Sequence, residues 1–161
     1  MPNTSANALV QEVWGQRGFP IDPVWIANRL GLDVIETPLE SNVSGALLKE
    51  NGQDPVIILN RYDSNVRKRF TCAHELGHYV KRTEKNGEPL EYEFVDFRGD
   101  SASKGNDPDE IFANQFAANL LMPASEVRKL TNLGYTPVMM SSYFGVSDDA
   151  IRYRLLNLGC C

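Results

Sequence analysis

Asn65-Val66-Arg67-Lys68-Arg69-Phe70-Thr71-Cys72-Ala73-His74-Glu75-Leu76-Gly77-His78-Tyr79-Val80-Lys81-Arg82 contains no proline and reads as one uninterrupted helix. Asp63 or Ser64 can cap its start. Val66, Phe70, Ala73, Gly77 and Val80 recur at spacings of four and three, a stripe that faces a core. At its centre His74-Glu75-Leu76-Gly77-His78 spells H-E-x-x-H, and the chain has no other histidine.

Residues four apart on a helix lie one above the other, so His74 and His78 can turn two imidazoles towards one ion. Glu75 is displaced to the side of that face, where it can hold a water better than it can bind a metal. Zinc lowers the pKa of a bound water to about 7, and a neighbouring carboxylate can take the proton. Gly77 removes a side chain where the helix needs close packing.

A catalytic zinc usually takes three protein ligands and a water. With no histidine left, the third is Asp, Glu or Cys. Cys72, two residues before His74, projects to the opposite side of the helix and reads as a small buried side chain. The best candidate lies in Asn106-Asp107-Pro108-Asp109-Glu110-Ile111-Phe112-Ala113-Asn114. Asp107 has the character of an N-cap and Pro108 of a first helical residue, with the helix running to about Leu121, before Pro123. Glu110 leads a face shared with Ala113/Asn114, Ala117 and Leu121. Locally, Asp107-x-x-Glu110 also matches a capping box, so ligand and cap are equally compatible with the pattern. Asp109 is the second candidate.

At this point the chain resembles the ImmA/IrrE family of zinc metallopeptidases. The resemblance rests on Arg69 to His78 and on Glu110-Ile111-Phe112-Ala113-Asn114-Gln115-Phe116-Ala117-Ala118-Asn119-Leu120-Leu121-Met122-Pro123. Weaker echoes are Ile57-Ile58-Leu59-Asn60 and the stretch from Phe144-Gly145-Val146-Ser147 to Arg154-Leu155. The resemblance implies a zincin-like α+β fold, zinc held by His74, His78 and Glu110, and Glu75 as general base. It also implies a protein substrate, since family members cleave helix-turn-helix repressors. Phe112 departs from the family, which often carries a second acidic residue there; Glu110 is thereby the only glutamate in that part of the motif.

With 161 residues, 42% of them hydrophobic, the chain can build one domain with a core, taken as residues 1–161. No apolar run approaches a membrane span, and no secretory signal is visible at Met1-Pro2-Asn3-Thr4-Ser5. Three cysteines, two of them adjacent, make no disulfide framework, so the expected location is the cytoplasm. A net charge of −5 argues against non-specific nucleic-acid binding.

Ala6, Leu9, Val10, Val13 and Trp14 predict an opening amphipathic helix, and a second runs from Asp22-Pro23 to a stop at Gly31. Strands are expected at Asp33–Glu36, Val43–Lys49 and Val56–Leu59, with an Asn51-Gly52 turn between the last two. Leu90–Phe97 alternates and reads as a further strand or edge. Thr83–Gly87 and Gly99–Asp107 read as polar loops shaping a cleft. Val43–Lys49 is the candidate for an exposed edge that binds an extended peptide, or else an ordinary sheet strand. Tyr79, Tyr92, Arg98 and Tyr135 are candidates for the electrophile that stabilises a tetrahedral intermediate.

Residues 137–158 form a helix-turn-helix-like pair: a stop at Gly145, a cap at Ser147, and Ala150, Ile151, Leu155 and Leu158 facing inward. This supports an alternative reading, a DNA-binding or protein-binding regulator whose zinc site is not catalytic. Against DNA stand Asp148 and Asp149 at the start of the second helix and a segment that carries as many acidic as basic residues.

Overall fold

The computed structural model describes residues 5–83, 91–98 and 107–160. Most of the loops expected at Thr83–Gly87 and Gly99–Asp107, and Leu90 of the strand expected at Leu90–Phe97, therefore lie outside the described residues.

Local signals explain most element boundaries. Helix α1 (Ala6–Leu9), capped by the Ser5 hydroxyl on Ala8 N–H, runs into a π-helical turn at Val10–Trp14, closed by Gly15 N–H on Val10 O at 2.8 Å. The opening stripe therefore exists, but not as one α-helix. Widening the turn to five residues brings Trp14 over Leu9, and both are buried. Trp14 meets the Trp25 ring edge-on at 5.5 Å. Helix α2 (Pro23–Arg29) begins where the Asp22 carboxylate accepts from Val24 and Trp25 N–H, and the chain leaves it through Gly31 at φ 92°.

Strands β1 (Asp33–Thr37), β2 (Val43–Lys49), β3 (Val56–Asn60) and β4 (Tyr92–Phe97) form one sheet in the order β1-β3-β2-β4. β1 and β3 are parallel; β2 is antiparallel to both β3 and β4. Of the two readings of Val43–Lys49, an exposed edge or an ordinary sheet strand, this order excludes the first and matches the second. β2 is an inner strand, because the alternating segment before Arg98 pairs along it, and among the described residues β1 and β4 are the edges. The register shifts between Val43 and Gly45, opposite Phe97 and Asp96, leaving Ser44 as the extra residue of a bulge. Buried Asn60 locks the start of β2: its Nδ2 donates to Val43 O at 2.8 Å and Glu40 O at 3.2 Å, while its Oδ1 accepts from Tyr62 N–H.

Helix α3 (Asn65–Thr83) packs across the sheet, with Ser64 Oγ accepting from Arg67 N–H at its start. Its middle, Thr71 to His78, is buried on every side, so both histidines lie inside the fold. Two glycines permit this. A Cβ on Gly45 would lie 2.5 Å from Ile58 O and 2.7 Å from Thr71 Cγ2, so β2 can press on α3 only as glycine. A Cβ on Gly77 would lie 3.0 Å from Phe116 Cβ and 3.1 Å from Ala113 Cα. Helix α4 (Pro108–Leu121) thus lies close against α3 at the level of the histidines.

Helices α5 (Ala124–Asn132), α6 (Pro137–Phe144) and α7 (Asp148–Leu158) follow. Gly145, at φ 66°, ends α6, and the Ser147 hydroxyl caps α7 on Ala150 N–H, as the sequence predicts. Phe144, Ile151 and Leu155 join the main core, while Ala150 and Leu158 are half-buried against it. The pair is fastened to α3 through Arg69, whose guanidinium donates to Gly145 O, Phe144 O and Ile21 O at 2.9, 3.1 and 2.6 Å. Among the described residues, no helix is long and apolar enough to cross a membrane.

Candidate metal centre

His74 and His78 follow each other by one turn of α3, with Nε2 atoms 3.2 Å apart and both residues 2% exposed. Glu110, in the first turn of α4, reaches both imidazoles: its oxygens lie 3.1 Å from His74 Nε2 and 3.0 Å from His78 Nε2. Glu110 is therefore not tied back to its helix start. Asp107 alone caps α4, on Asp109 N–H at 2.9 Å, which separates the two roles that the local sequence left equal. Asp109, the second candidate, faces away and pairs with Lys81 Nζ at 2.8 Å. The same ammonium lies 5.4 Å from the centre of the Phe112 ring. Cys72 is a fully buried free thiol, as expected.

The electrostatics follow from this packing. Burial opposes the charged form of His74, but the hydrogen bond to Glu110 and the carboxylates of Asp96 and Glu75 outweigh it and push its pKa up to about 9. Hydrogen bonds from His74 and His78 hold the Glu110 carboxyl far below the usual carboxylate range. Glu75 is 0% exposed, and neither of its oxygens has a hydrogen-bond partner among the described residues. Burial raises its pKa well above the ordinary value; His74 counteracts this, and Asp96 and Glu110 add to it.

Two positions enter the site without having been singled out as functional in the sequence. Asn114 Oδ1 lies 2.8 Å from His74 Nδ1. With Nδ1–H donating, Nε2 is left to face Glu110, the usual way in which an outer partner fixes the tautomer of a metal-binding imidazole. Its signal was present, since Asn114 follows Glu110 by one turn on the same face of α4. Asp96, on β4, comes within 4.8 Å of ligand-type atoms of both His74 and Glu75. Burial raises its pKa also. Alternation along β4 puts Phe94 on the same side, where its ring stacks on His78 at 4.3 Å and 8°.

The donor atoms of His74, His78 and Glu110 all lie within 4.8 Å of one another, a set able to hold a divalent metal ion. Two imidazoles and one carboxylate match the donor chemistry of a catalytic zinc site. Beside this set, a buried carboxylate with no hydrogen-bond partner among the described residues is costly unless something else satisfies it, and a metal-associated water would do so. The residues therefore fit the group.

Of the four electrophile candidates, Arg98 is committed elsewhere. Its guanidinium forks onto both Asp63 oxygens at 2.8 and 2.9 Å and reaches Val43 O, tying the end of β4 to the approach to α3. Tyr135 packs against the Tyr143 ring near the start of α6. Tyr92 lies on β4 beside Phe94, and Tyr79 is half-buried on α3.

The chain matches the family model described as IrrE N-terminal-like domain, a peptidase family, over residues 27–156. It belongs to that family. No curated protein matches it. The matched range takes in α3, β4 and α4, and so every residue of the cluster.

Proposed function

We propose that this chain is a zinc-dependent endopeptidase in which His74, His78 and Glu110 hold the metal and Glu75 is the general base. The observation that carries the reading is Glu75: a fully buried carboxylate with no hydrogen-bond partner among the described residues, beside a converging His-His-Glu set. When bound, zinc supplies a polarised water with a pKa near 7 and a Lewis acid for the scissile carbonyl. Glu75 takes a proton from the attacking water and delivers it to the amide nitrogen as the C–N bond breaks. Burial favours the first step, because a raised pKa makes the carboxylate a stronger base towards the proton of the water. Asn114 keeps His74 in the required tautomer and orientation.

Substrate would approach along β4, the edge strand beside the cluster among the described residues, whose outer backbone groups can pair with an extended peptide. The substrate we propose is a regulatory protein such as a helix-turn-helix repressor, cleaved in the cytoplasm by residues 1–161 acting as one domain. Docking on α6 and α7 is compatible with a protein partner. DNA binding is disfavoured by Asp148 and Asp149 in the first turn of α7 and by the burial of Ile151 and Leu155 in the core.

The test is the pair of measurements on Glu75→Gln. The variant should retain zinc at the wild-type stoichiometry and lose hydrolysis by at least roughly a hundredfold, the usual scale of general-base catalysis. A variant that still cleaves at the wild-type rate removes Glu75 from the mechanism. A folded wild-type protein with no bound divalent ion removes the reading altogether.

A further inference from the structure

A groove of about 830 Å³ lies between α4 and α7, outside the His-His-Glu cluster, with Phe70 of α3 in its wall. Asn114 connects the two: it holds His74 Nδ1 and also lines the groove. The cluster is thus flanked on the β4 side by Phe94, stacked on His78, and on the groove side by Asn114.

The lining has a particular chemistry. Four carboxamide residues, Asn114, Gln115, Asn119 and Asn157, line the groove, and among its described lining residues there is no carboxylate. Arg154 is the single charged residue there, and its Nε is fixed on Met122 O at 3.0 Å. A carboxamide offers N–H donors and a C=O acceptor, the same pair that each peptide unit presents. Carboxamides beside apolar surface from Phe70 and Ala118 therefore match a polypeptide main chain, whatever its side chains. From Ile111 to Met122 the lining follows α4 for roughly 16 Å, at about 1.5 Å per residue. An extended chain advances about 3.3 Å per residue, so roughly five residues fit that length.

We propose that the α4–α7 groove binds an extended segment of the substrate polypeptide, about five residues long, through its main chain. The inference rests on the peptidase reading above and gives that site its substrate recognition: unstructured or locally unfolded segments, selected by conformation more than by side-chain identity.

The experiment uses ¹⁵N-labelled, zinc-loaded Glu75→Gln protein and an equimolar mixture of random decapeptides. Side-chain NH₂ resonances of Asn114, Gln115, Asn119 and Asn157 should shift on titration. In an Asn119→Leu/Asn157→Leu background, which alters two exposed side chains, apparent affinity should fall at least about tenfold. Ala118→Trp, which narrows the groove, should do the same. Peptide additions that leave all four NH₂ pairs in place overturn the proposal, as do leucine and tryptophan variants that bind like the parent. A quenched-fluorescent form of the same mixture, given to the zinc-loaded wild-type protein, separates the two readings. Cleavage with an unresponsive groove overturns the groove alone. A responsive groove in a folded wild-type protein that retains no zinc overturns the peptidase reading alone.

Discussion

Asn114 gives its carboxamide oxygen to His74, and that one hydrogen bond decides which imidazole nitrogen faces Glu110. Removing such an outer partner typically costs about 10–100-fold in metal affinity. Asn114→Ala should therefore weaken zinc retention by that order in a chelator competition, with the far-ultraviolet spectrum unchanged. Glu110 and Asp109 offer a sharper comparison because they are neighbours with different partners. Glu110→Ala removes a carboxylate that contacts both imidazoles, whereas Asp109→Ala removes only the exposed pairing with Lys81. Zinc retention should collapse in the first variant and stay near wild type in the second; the reverse order would reassign the third ligand. At this scale the sequence was most informative where chemistry is local. The H-E-x-x-H spacing placed two imidazoles on one turn, and it needed no knowledge of the rest of the chain. Asp96 was illegible because its approach to His74 and Glu75 depends on how β4 pairs and on which face of the sheet α3 crosses.

Elements meet here through missing side chains. Gly77 lets α3 approach α4 closely enough for Glu110 to reach both histidines, and a Cβ there would press on Phe116 and Ala113. Gly77→Val should cost about 1–3 kcal/mol in urea unfolding, the usual penalty for overpacking, and should lower metal affinity with it. A variant as stable as wild type would show that the two helices can part without consequence. The ends of these elements were readable in advance: Asp107 with Pro108, Asp22 with Pro23, Ser147, and the glycine stops at Gly31 and Gly145 all rest on neighbours in sequence. Sheet order was not. The alternation in Leu90–Phe97 identified a strand, but nothing local states that it pairs with β2, so β2 was a candidate for the free edge. The widened turn at Val10–Trp14 escaped as well, since its apolar spacing matches that of an ordinary α-helix.

Over the whole molecule, burial places a titratable group in the core, and its pH signature follows. The Cys72 thiol is pushed up to about 12, chiefly by burial, with Asp22 and Glu75 adding to the shift and Arg69 opposing it. In the unfolded chain a thiol ionises from about pH 8.5. Between that value and about 12, the unfolded state binds fewer protons than the folded one, so stability falls as pH rises through the window. Below it the thiol contributes no slope. Cys72→Ala should therefore lose less stability than wild type between pH 8 and 10, read as urea midpoints at constant metal loading. Equal slopes would mean that the thiol is solvated in the folded chain.

Arg69 adds an order of events. Its three carbonyl partners belong to Ile21, Phe144 and Gly145, the first 48 positions before it and the last 76 after. During synthesis α3 can form as soon as its own residues have emerged, yet its guanidinium then faces a wall only partly built. In the finished fold burial disfavours that charge and lowers its pKa, and the three carbonyls take up its N–H groups. The helix that carries both histidines therefore acquires its full set of neighbours only once Gly145 has been made, so a nascent chain shorter than this lacks a finished centre.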